Sequence, residues 1–161
     1  MIRSLKVPIL LLCSIGLTQA AKAGENIQAG VSLTTPTNVN AHWDKGRWNA
    51  AGNLGNSLTA GEEIGRLSID TVGNNIVKIS EKSSVLSDHF TFYKDGESHN
   101  GAFYVTASRE GDSGKLKIID RTLELSGVNA ASTTIVLKNA IDMKVDPGHY
   151  TAAFDVDVYS S

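Results

Sequence analysis

The chain has 161 residues, of which 20% are charged, with a formal net charge of −2 and a single cysteine. This composition lacks the basic excess of nucleic-acid-binding domains and the cysteine density of disulfide scaffolds. The length fits one domain with a single core.

The first 23 residues are predicted to be a secretory signal peptide. A basic start, residues 1–6, is followed by an apolar run, residues 7–17, and by Ala21-Lys22-Ala23, which is typical of a cleavage site. The apolar run is too short to span a bilayer, for which about 20 residues are needed. We expect an exported protein cleaved after Ala23, with Ala20 as the alternative site.

Removal of this leader changes the chemistry of the chain. Cys13 and three basic residues are lost, so the mature chain forms no disulfide and has twelve basic residues against seventeen acidic ones, a formal charge of −5. No basic cluster remains that would favour nucleic acid or an anionic membrane surface. We therefore predict no nucleic-acid partner, and a domain held together by packing and strand pairing alone.

The mature chain begins with a strictly alternating segment, residues 26–35. Its apolar residues are predicted to share one face of a β-strand: Ile27, Ala29, Val31 and Leu33. A shift by one residue would turn Gln28 and Ser32 inward, so the register is well specified. Pro36 interrupts the pattern. Two interpretations remain open, namely the first strand of the chain's own sandwich and a strand donated to a neighbouring copy.

Short alternating segments separated by turn residues follow. We predict a strand at residues 39–43 and, over residues 44–61, a long loop or loosely paired segment rich in Gly and Asn. A hairpin is predicted to pair residues 64–71 with residues 76–80. Further strands are predicted around the apolar pairs Phe90 and Phe92, Phe103 and Val105, Leu116 and Ile118, Leu123 and Leu125, and Ile135 and Leu137.

The last strand has the clearest alternation. Its apolar face consists of Tyr150, Ala152, Phe154, Val156 and Val158. Its other face carries Asp155 and Asp157, two charges that would discourage pairing of a free sheet edge with other chains. Eight to ten short strands with Gly-rich turns, and at most one helical turn within residues 130–142, predict an all-β protein with an antiparallel immunoglobulin-like sandwich.

Three features together resemble a structural subunit of chaperone–usher fimbriae: the signal peptide, the alternating N-terminal strand, and a last strand that opens with Pro147-Gly148-His149-Tyr150-Thr151 and has Tyr159 near its end. The middle of the chain resembles the Sef-type fimbrin group, in which an Ala-x-Trp precedes an Ala-Gly-x-x-x-Gly-x-Leu-Ser-Ile strand. The corresponding segments are Ala41-His42-Trp43 and residues 59–69. The ending also resembles Dr-type, Saf-type and capsule-type subunits.

This resemblance implies an incomplete sandwich, residues 37–161, completed by a donor strand, residues 24–36, from the next subunit. A periplasmic chaperone would fill the open groove first, and at the outer-membrane usher the strand of another copy would replace it. The implied pocket-filling residues are Ile27, Ala29, Val31 and Leu33, and the implied groove wall is Tyr150, Ala152, Phe154, Val156 and Val158. The implied location is the bacterial cell surface, with a host-cell receptor as a further partner.

Catalytic motifs are absent from the sequence. It contains no G-x-S-x-G, P-loop or H-E-x-x-H, and no cysteine of the mature chain can act as a nucleophile. Glu62 and Glu63 would face opposite sides of a strand, which does not suit a glycosidase pair. Asp95-Gly96-Glu97-Ser98 is better explained as a turn than as a calcium loop. Metal-ligand spacing is also lacking among His42, His89, His99 and His149. We expect no catalytic residue, metal or cofactor; an exported hydrolase is the weakest alternative.

A function from a different class is that of a monomeric secreted carbohydrate-binding sandwich. Trp43, Trp48, Tyr93 and Tyr104 could form a sugar or receptor platform. Trp43 ends a predicted strand and is better explained as core, whereas Trp48 lies in the predicted loop and is the candidate for receptor contact. The fimbrial and carbohydrate-binding functions differ in whether residues 24–35 pair within their own molecule.

Overall fold

The computed structural model describes residues 27–35, 39–45, 53–54, 57–70, 75–83, 85–95, 101–128 and 131–160. These residues form fourteen β-strands: β1 (Ile27–Thr34), β2 (Ala41–Lys45), β3 (Asn53–Leu54), β4 (Ser57–Leu58), β5 (Glu63–Asp70), β6 (Asn75–Glu81), β7 (Phe90–Lys94), β8 (Ala102–Arg109), β9 (Lys115–Leu116), β10 (Ile118–Ile119), β11 (Thr122–Val128), β12 (Ser132–Asn139), β13 (Met143–Lys144) and β14 (Gly148–Ser160). Within these ranges there is no helix, and so none long and apolar enough to cross a membrane.

Twelve of these strands form one continuous sheet, while β4 and β13 pair separately. The order along the sheet is β10-β11-β6-β14-β7-β8-β12-β5-β2, with β9 paired to β8 and with β1 lying between β14 and β3. The sheet folds over so that its inward faces pack together, which confirms the predicted immunoglobulin-like sandwich. Among the described strands, only β1 and β14 pair in parallel.

The core follows from the period of two along each strand, because alternate side chains point to the same face of a sheet. Its largest members, all less than 2% exposed, are Tyr150, Phe90, Phe92, Phe103, Phe154, Ile27, Leu58, Ile64, Leu67, Ile69 and Ile79. The Phe92 and Phe103 rings stack with their centroids 4.9 Å apart, and Phe103 meets Tyr150 at 5.3 Å. These ring contacts join β7 and β8 to β14, so the last strand is anchored in the centre of the core.

Two local predictions differ from the structure. The predicted hairpin is wrong, because β5 pairs with β12 and β2 whereas β6 pairs with β11 and β14. Both strands bury alternate residues, and this pattern does not distinguish a hairpin from two strands that cover the core from different layers. Residues 132–139, where a helical turn was conceivable, form strand β12. The described part of the predicted loop contains the two-residue strands β3 and β4.

Candidate functional site: the groove filled by β1

The N-terminal strand lies against the last strand of its own chain. Residues of β1 and β14 are opposite one another in a continuous parallel register that runs from Ile27 and Gly148 to Thr34 and Asp155. On its other edge, β1 pairs with β3 only at Ile27 and Gln28. The strand is therefore held along its whole length by β14 and near its start by β3.

The four predicted pocket-filling residues all point toward the core, but they are buried to different extents. Ile27 and Ala29 are fully buried, whereas Val31 and Leu33 are partly buried and pack against the edge of the core. β1 ends opposite Asp155, whereas β14 continues for five more residues. The part of β14 beyond Asp155 therefore has no partner in β1, and the strand fills one half of the groove more completely than the other.

The predicted wall of the groove is the inward face of β14. Tyr150, Ala152, Phe154 and Val156 are buried, and Val158 is partly buried at the end of the strand. The Phe154 ring meets Phe90 at 4.9 Å. The Tyr150 hydroxyl donates a hydrogen bond to the Asp146 carbonyl at 2.8 Å, which satisfies its polar end within the protein.

Asp95 fixes the start of β14. Its backbone N–H donates to the His149 carbonyl, and its Oδ1 accepts a hydrogen bond from the Thr151 hydroxyl at 2.9 Å. Its Oδ2 lies 2.8 Å from His149 Nδ1. The carboxylate thus links the end of β7 to the outer face of β14. The rest of the predicted turn, residues 96–98, lies outside the described residues.

Glu81 is a buried carboxyl group that the sequence reasoning missed. It is 3% exposed and lies opposite Phe154 at the end of β6. Its Oε2 accepts a hydrogen bond from the Thr91 N–H at 2.8 Å, whereas its Oε1 has no hydrogen-bond partner among the described residues. Burial raises the pKa of Glu81 to about 7, against the opposing effects of the Thr91 hydrogen bond and the positive charge of Arg121.

A signal for this residue exists in the sequence. Glu81 continues the inward series Val77 and Ile79, so alternation alone places a carboxyl group on the core face. The carboxyl links β6 to β7 at the point where β14 passes from one to the other. We interpret the Glu81 carboxyl as a structural link that helps hold β14, the wall of the groove, in place.

Asp155, on the outer face of β14, is not at a free edge. Asp155 pairs with Thr34 on one side and with Ser80 on the other, so its predicted role in protecting an exposed edge is wrong in this structure. Its Oδ2 lies 3.0 Å from Lys82 Nζ. Asp157 is opposite Lys78 in the pairing of β14 with β6, so each carboxylate has a lysine nearby that lowers the cost of placing charge there.

The remaining polar candidates are dispersed. Within the described ranges, no three His, Cys, Asp or Glu side chains come together as a metal site. His42 lies beside Asp44 and His89 beside Asp88, whereas His99 lies outside the described residues. The hydrogen bond from His89 lowers the pKa of Asp88.

Glu62 and Glu63 have separate partners, as their adjacent positions predicted. The Glu62 carboxylate accepts a hydrogen bond from the Thr59 N–H, and Glu63 forms an ion pair with Arg66 at 2.8 Å.

The predicted aromatic platform is only partly represented. Trp43 is partly buried and meets Phe92 at 6.0 Å, as its interpretation as a core residue predicted. Burial raises the pKa of Tyr93, whose hydroxyl donates to the Ser83 carbonyl at 2.6 Å. Trp48, the candidate for receptor contact, lies outside the described residues.

Comparison with known proteins gives the class of the fold. No protein-family model matches the chain, and no curated protein matches it. A solved structure of HdaB, the minor tip subunit of the Escherichia coli Hda pilus, matches 76% of this chain and 84% of its own, with a TM-score of 0.57 and 11% identity.

A structure from enteroaggregative E. coli AAF fimbriae, solved in work on fibronectin binding and biofilm formation, matches 75% of this chain and 95% of its own. Its TM-score is 0.52 and its identity 13%. The chain therefore has the fold of fimbrial subunits. Neither structure supports the narrower Sef-type group, which stays a prediction.

Proposed function

We propose that this chain is a structural subunit of a surface fimbria, exported and assembled by the chaperone–usher pathway through donation of β1. The observation that carries the proposal is the position of β1. It supplies an apolar face to the core, follows directly after the predicted signal peptide, and precedes Pro36. Such a strand can be replaced in the sandwich by the same strand of another copy.

The free energy gained by burying the apolar side chains of β1 supports a fold that depends on this strand. Burying a large aliphatic side chain contributes roughly 1.5–3 kcal/mol. Ile27, Val31, Leu33 and Ala29 together contribute on the order of 5–10 kcal/mol, as an upper bound, against a typical domain stability of about 5–15 kcal/mol. A body without β1 is then marginal or unfolded, and a neighbour that supplies the strand couples polymerisation to folding.

The pairing of β1 with its own β14 is a closed form, and assembly requires its exchange. Parallel ladders are slightly less stable per residue than antiparallel ones. The closed form also leaves the last five residues of β14 without β1. A neighbour's strand that covers more of β14, or that runs antiparallel to it, would gain hydrogen bonds and bury more apolar surface, which favours exchange.

The partners in this proposal are other copies of the chain, a periplasmic chaperone and an outer-membrane usher. Its location is the bacterial surface, with membership of the Sef-type group as the finer assignment. A contribution to adhesion is part of the proposal, because a subunit that repeats along a fibre presents each surface many times, so that weak contacts add up.

A monomeric secreted carbohydrate-binding sandwich is the second candidate. The intramolecular pairing of β1 favours it, because a domain that closes on itself needs no neighbour to be stable. On this alternative, the N-terminal strand is simply the first strand of the sandwich, and sugar binding would involve Trp48.

The test compares two proteins by circular dichroism and size exclusion. One is residues 37–161 alone, and the other carries residues 24–35 behind a flexible linker at the C-terminus, with an Ile27→Ser/Val31→Ser version of the moved segment as the control. We expect the first and the control to be unfolded and the second to be a stable monomer. If residues 37–161 melt like the full mature chain, strand donation is excluded.

A further inference from the structure

A second concave site lies at the end of the sandwich where β14 finishes. A cleft of about 280 Å³ opens between β8, β11 and β12. It is near the last residues of β14, because Val128 and Ser160 both pair with Asn75. Its lining consists of Arg109, Glu110, Gly127, Val128 and residues 132–134. The groove described above does not include it.

The cation that lines this cleft is Arg109, at the end of β8 on the core-facing side of that strand. Arg109 follows Val105 and Ala107 on the inward face of β8 and lies opposite the buried Ile135. Its Nε is buried and has no hydrogen-bond partner among the described residues. An unpaired buried donor costs about 1–3 kcal/mol, and more when it is charged, so this guanidinium has hydrogen-bonding capacity that the described residues leave unused.

The opposite wall of the cleft is shaped by a β-bulge. The register of β11 against β6 shifts between Leu125 and Val128. Gly127 has a φ of 66°, and a side chain added there would meet nothing within 4 Å, so this wall presents bare backbone to open space. Bulges occur preferentially at sheet edges and beside functional sites, where they re-aim side chains.

The neighbouring carboxylate does not neutralise Arg109. Glu110 receives a hydrogen bond from Arg66 Nη1, and the same guanidinium holds Glu63, with Nε 2.8 Å from Oε1 and Nη2 3.1 Å from Oε2. These carboxylates raise the pKa of Arg66. No described carboxylate forms an ion pair with Arg109. The cleft therefore contains a cation, Arg109, whose neighbouring carboxylate, Glu110, is already bonded to Arg66.

We propose that this cleft binds a carboxylate-bearing sugar at the end of a glycan. A guanidinium binds a carboxylate through two parallel hydrogen bonds. Ser132 and Thr133 add hydroxyl groups to the lining, whereas the Thr134 hydroxyl lies 3.3 Å from Ser68 Oγ. Hydroxyls can both donate to and accept from sugar hydroxyls. The volume is close to the lower end of the range for small-ligand sites, which suits one monosaccharide.

The lining favours an acidic sugar over the other candidates. None of the described lining residues is aromatic, so they offer no stacking surface of the kind that a neutral sugar would use. A short cleft with one cation holds a single carboxylate, whereas an acidic peptide would need further cations along its length. The proposal concerns a site outside the strand groove, so it does not depend on whether β1 is donated.

The test is saturation-transfer NMR and titration calorimetry on the full mature chain, residues 24–161. The probes are methyl glucuronide, the methyl glycoside of N-acetylneuraminic acid, and methyl glucoside, which differs from the glucuronide only in lacking the carboxylate. We expect saturable, salt-sensitive binding of one or both acidic sugars and none of the glucoside. Arg109→Gln should weaken binding about tenfold or more.

Two variants keep the result interpretable. Lys115→Gln removes an exposed cation from β9 and should leave affinity unchanged. If Arg109→Gln lowers stability, the exposed Ser132→Ala is used instead and should weaken binding several-fold with an unchanged melting temperature. The proposal is overturned if the folded chain binds neither acidic sugar, if Arg109→Gln binds as well as the wild type, or if only an acidic peptide binds.

Discussion

The indole of Trp43 lies directly over the α-carbon of Gly65. A β-carbon at position 65 would come within 2.3 Å of Trp43 Cζ2 and 2.6 Å of the Asp44 carbonyl oxygen. Trp43 is opposite Leu67 in the pairing of β2 with β5, so its ring leans along β5 to reach the glycine. This contact gives a physical reason for the joint presence of Ala-x-Trp and a glycine before Leu-Ser-Ile in the sequence.

Gly65→Ala should lower the free energy of unfolding by about 3 kcal/mol, because neither the partly buried ring nor the backbone carbonyl can move away freely. Urea unfolding of the mature chain measures the loss. A double-mutant cycle with Trp43→Phe tests the cause, since phenylalanine lacks the offending ring atoms. We expect the cost of Gly65→Ala to fall by about 1 kcal/mol when Trp43→Phe is already present. Equal costs with and without Trp43→Phe would rule out the ring contact.

Ile27→Ala should destabilise the mature chain by about 2–5 kcal/mol, because Ile27 is fully buried and the cavity left behind is enclosed by the core. Thermal unfolding gives the difference. The exposed neighbour Gln28→Ala is the matched control and should change stability by less than about 0.5 kcal/mol. Similar small effects of both substitutions would mean that β1 is not part of the folded core in solution.

The parallel register predicts a specific disulfide. Ser32 and Ala153 are opposite each other and exposed, and neighbouring strands lie about 4.8 Å apart, within the range that a disulfide spans. Because the mature chain has no cysteine, Ser32→Cys/Ala153→Cys should form an intramolecular bond that locks the chain as a monomer until it is reduced. Non-reducing electrophoresis and size exclusion measure this.

The control for this disulfide is Ser32→Cys/Asp157→Cys. Its second position lies four residues beyond Ala153 on β14, which places it about 13 Å farther along the strand. This pair should not close within one molecule. Bonds that form only between molecules in the Ser32–Ala153 variant would contradict the closed form, while leaving donation between subunits intact.

Glu81 predicts a pH dependence of stability. Its pKa is raised to about 7 in the folded protein, above its ordinary value near 4.3 when unfolded, so the folded state binds the proton more tightly. Its contribution therefore favours folding at low pH and is lost as the pH rises from about 4.3 to 7. We expect about 2 kcal/mol less stability at pH 8 than at pH 5 from this group.

Urea unfolding of the wild type and of Glu81→Gln at both pH values isolates the effect, because all other titrating groups are shared. The glutamine carries no charge to bury, and its amide oxygen can still accept the Thr91 N–H. The variant should gain stability relative to the wild type as the pH rises. A constant difference between the two proteins would mean that Glu81 does not titrate in this range.

Period-two alternation was sufficient to predict the sandwich. It placed Ile27, Phe103, Leu67 and Phe154 on core faces, where the structure has them. Partner choice was not predictable in the same way, because alternation fixes which face of a strand is buried and not which strand lies beside it. For this reason the hairpin joining β5 to β6 was wrong, and the parallel orientation of β1 was not foreseen.

Two polar residues at core-facing positions could have been identified from the sequence. Glu81 and Arg109 each continue an apolar series along one face, so the sequence indicates that both begin on the core side. What their side chains meet depends on strands distant in sequence, namely β7 for Glu81 and β12 for Arg109. A long-range environment of this kind cannot be derived from local periodicity.

β14 is bordered by β1 along its first eight residues and by β6 along its second half, so its two halves respond to different events. In an amide hydrogen-exchange experiment, those amides of Gly148–Asp155 that face β1 should exchange quickly whenever that strand departs and slowly whenever any strand, from the same molecule or another, takes its place. Amides near Ser160 that bond to β6 exchange only when the body itself unfolds, so a difference between the two sets reports departure of β1 from a folded body. A single strand thus carries both the signal and its internal reference, and exchange kinetics can follow occupancy of the groove without any label.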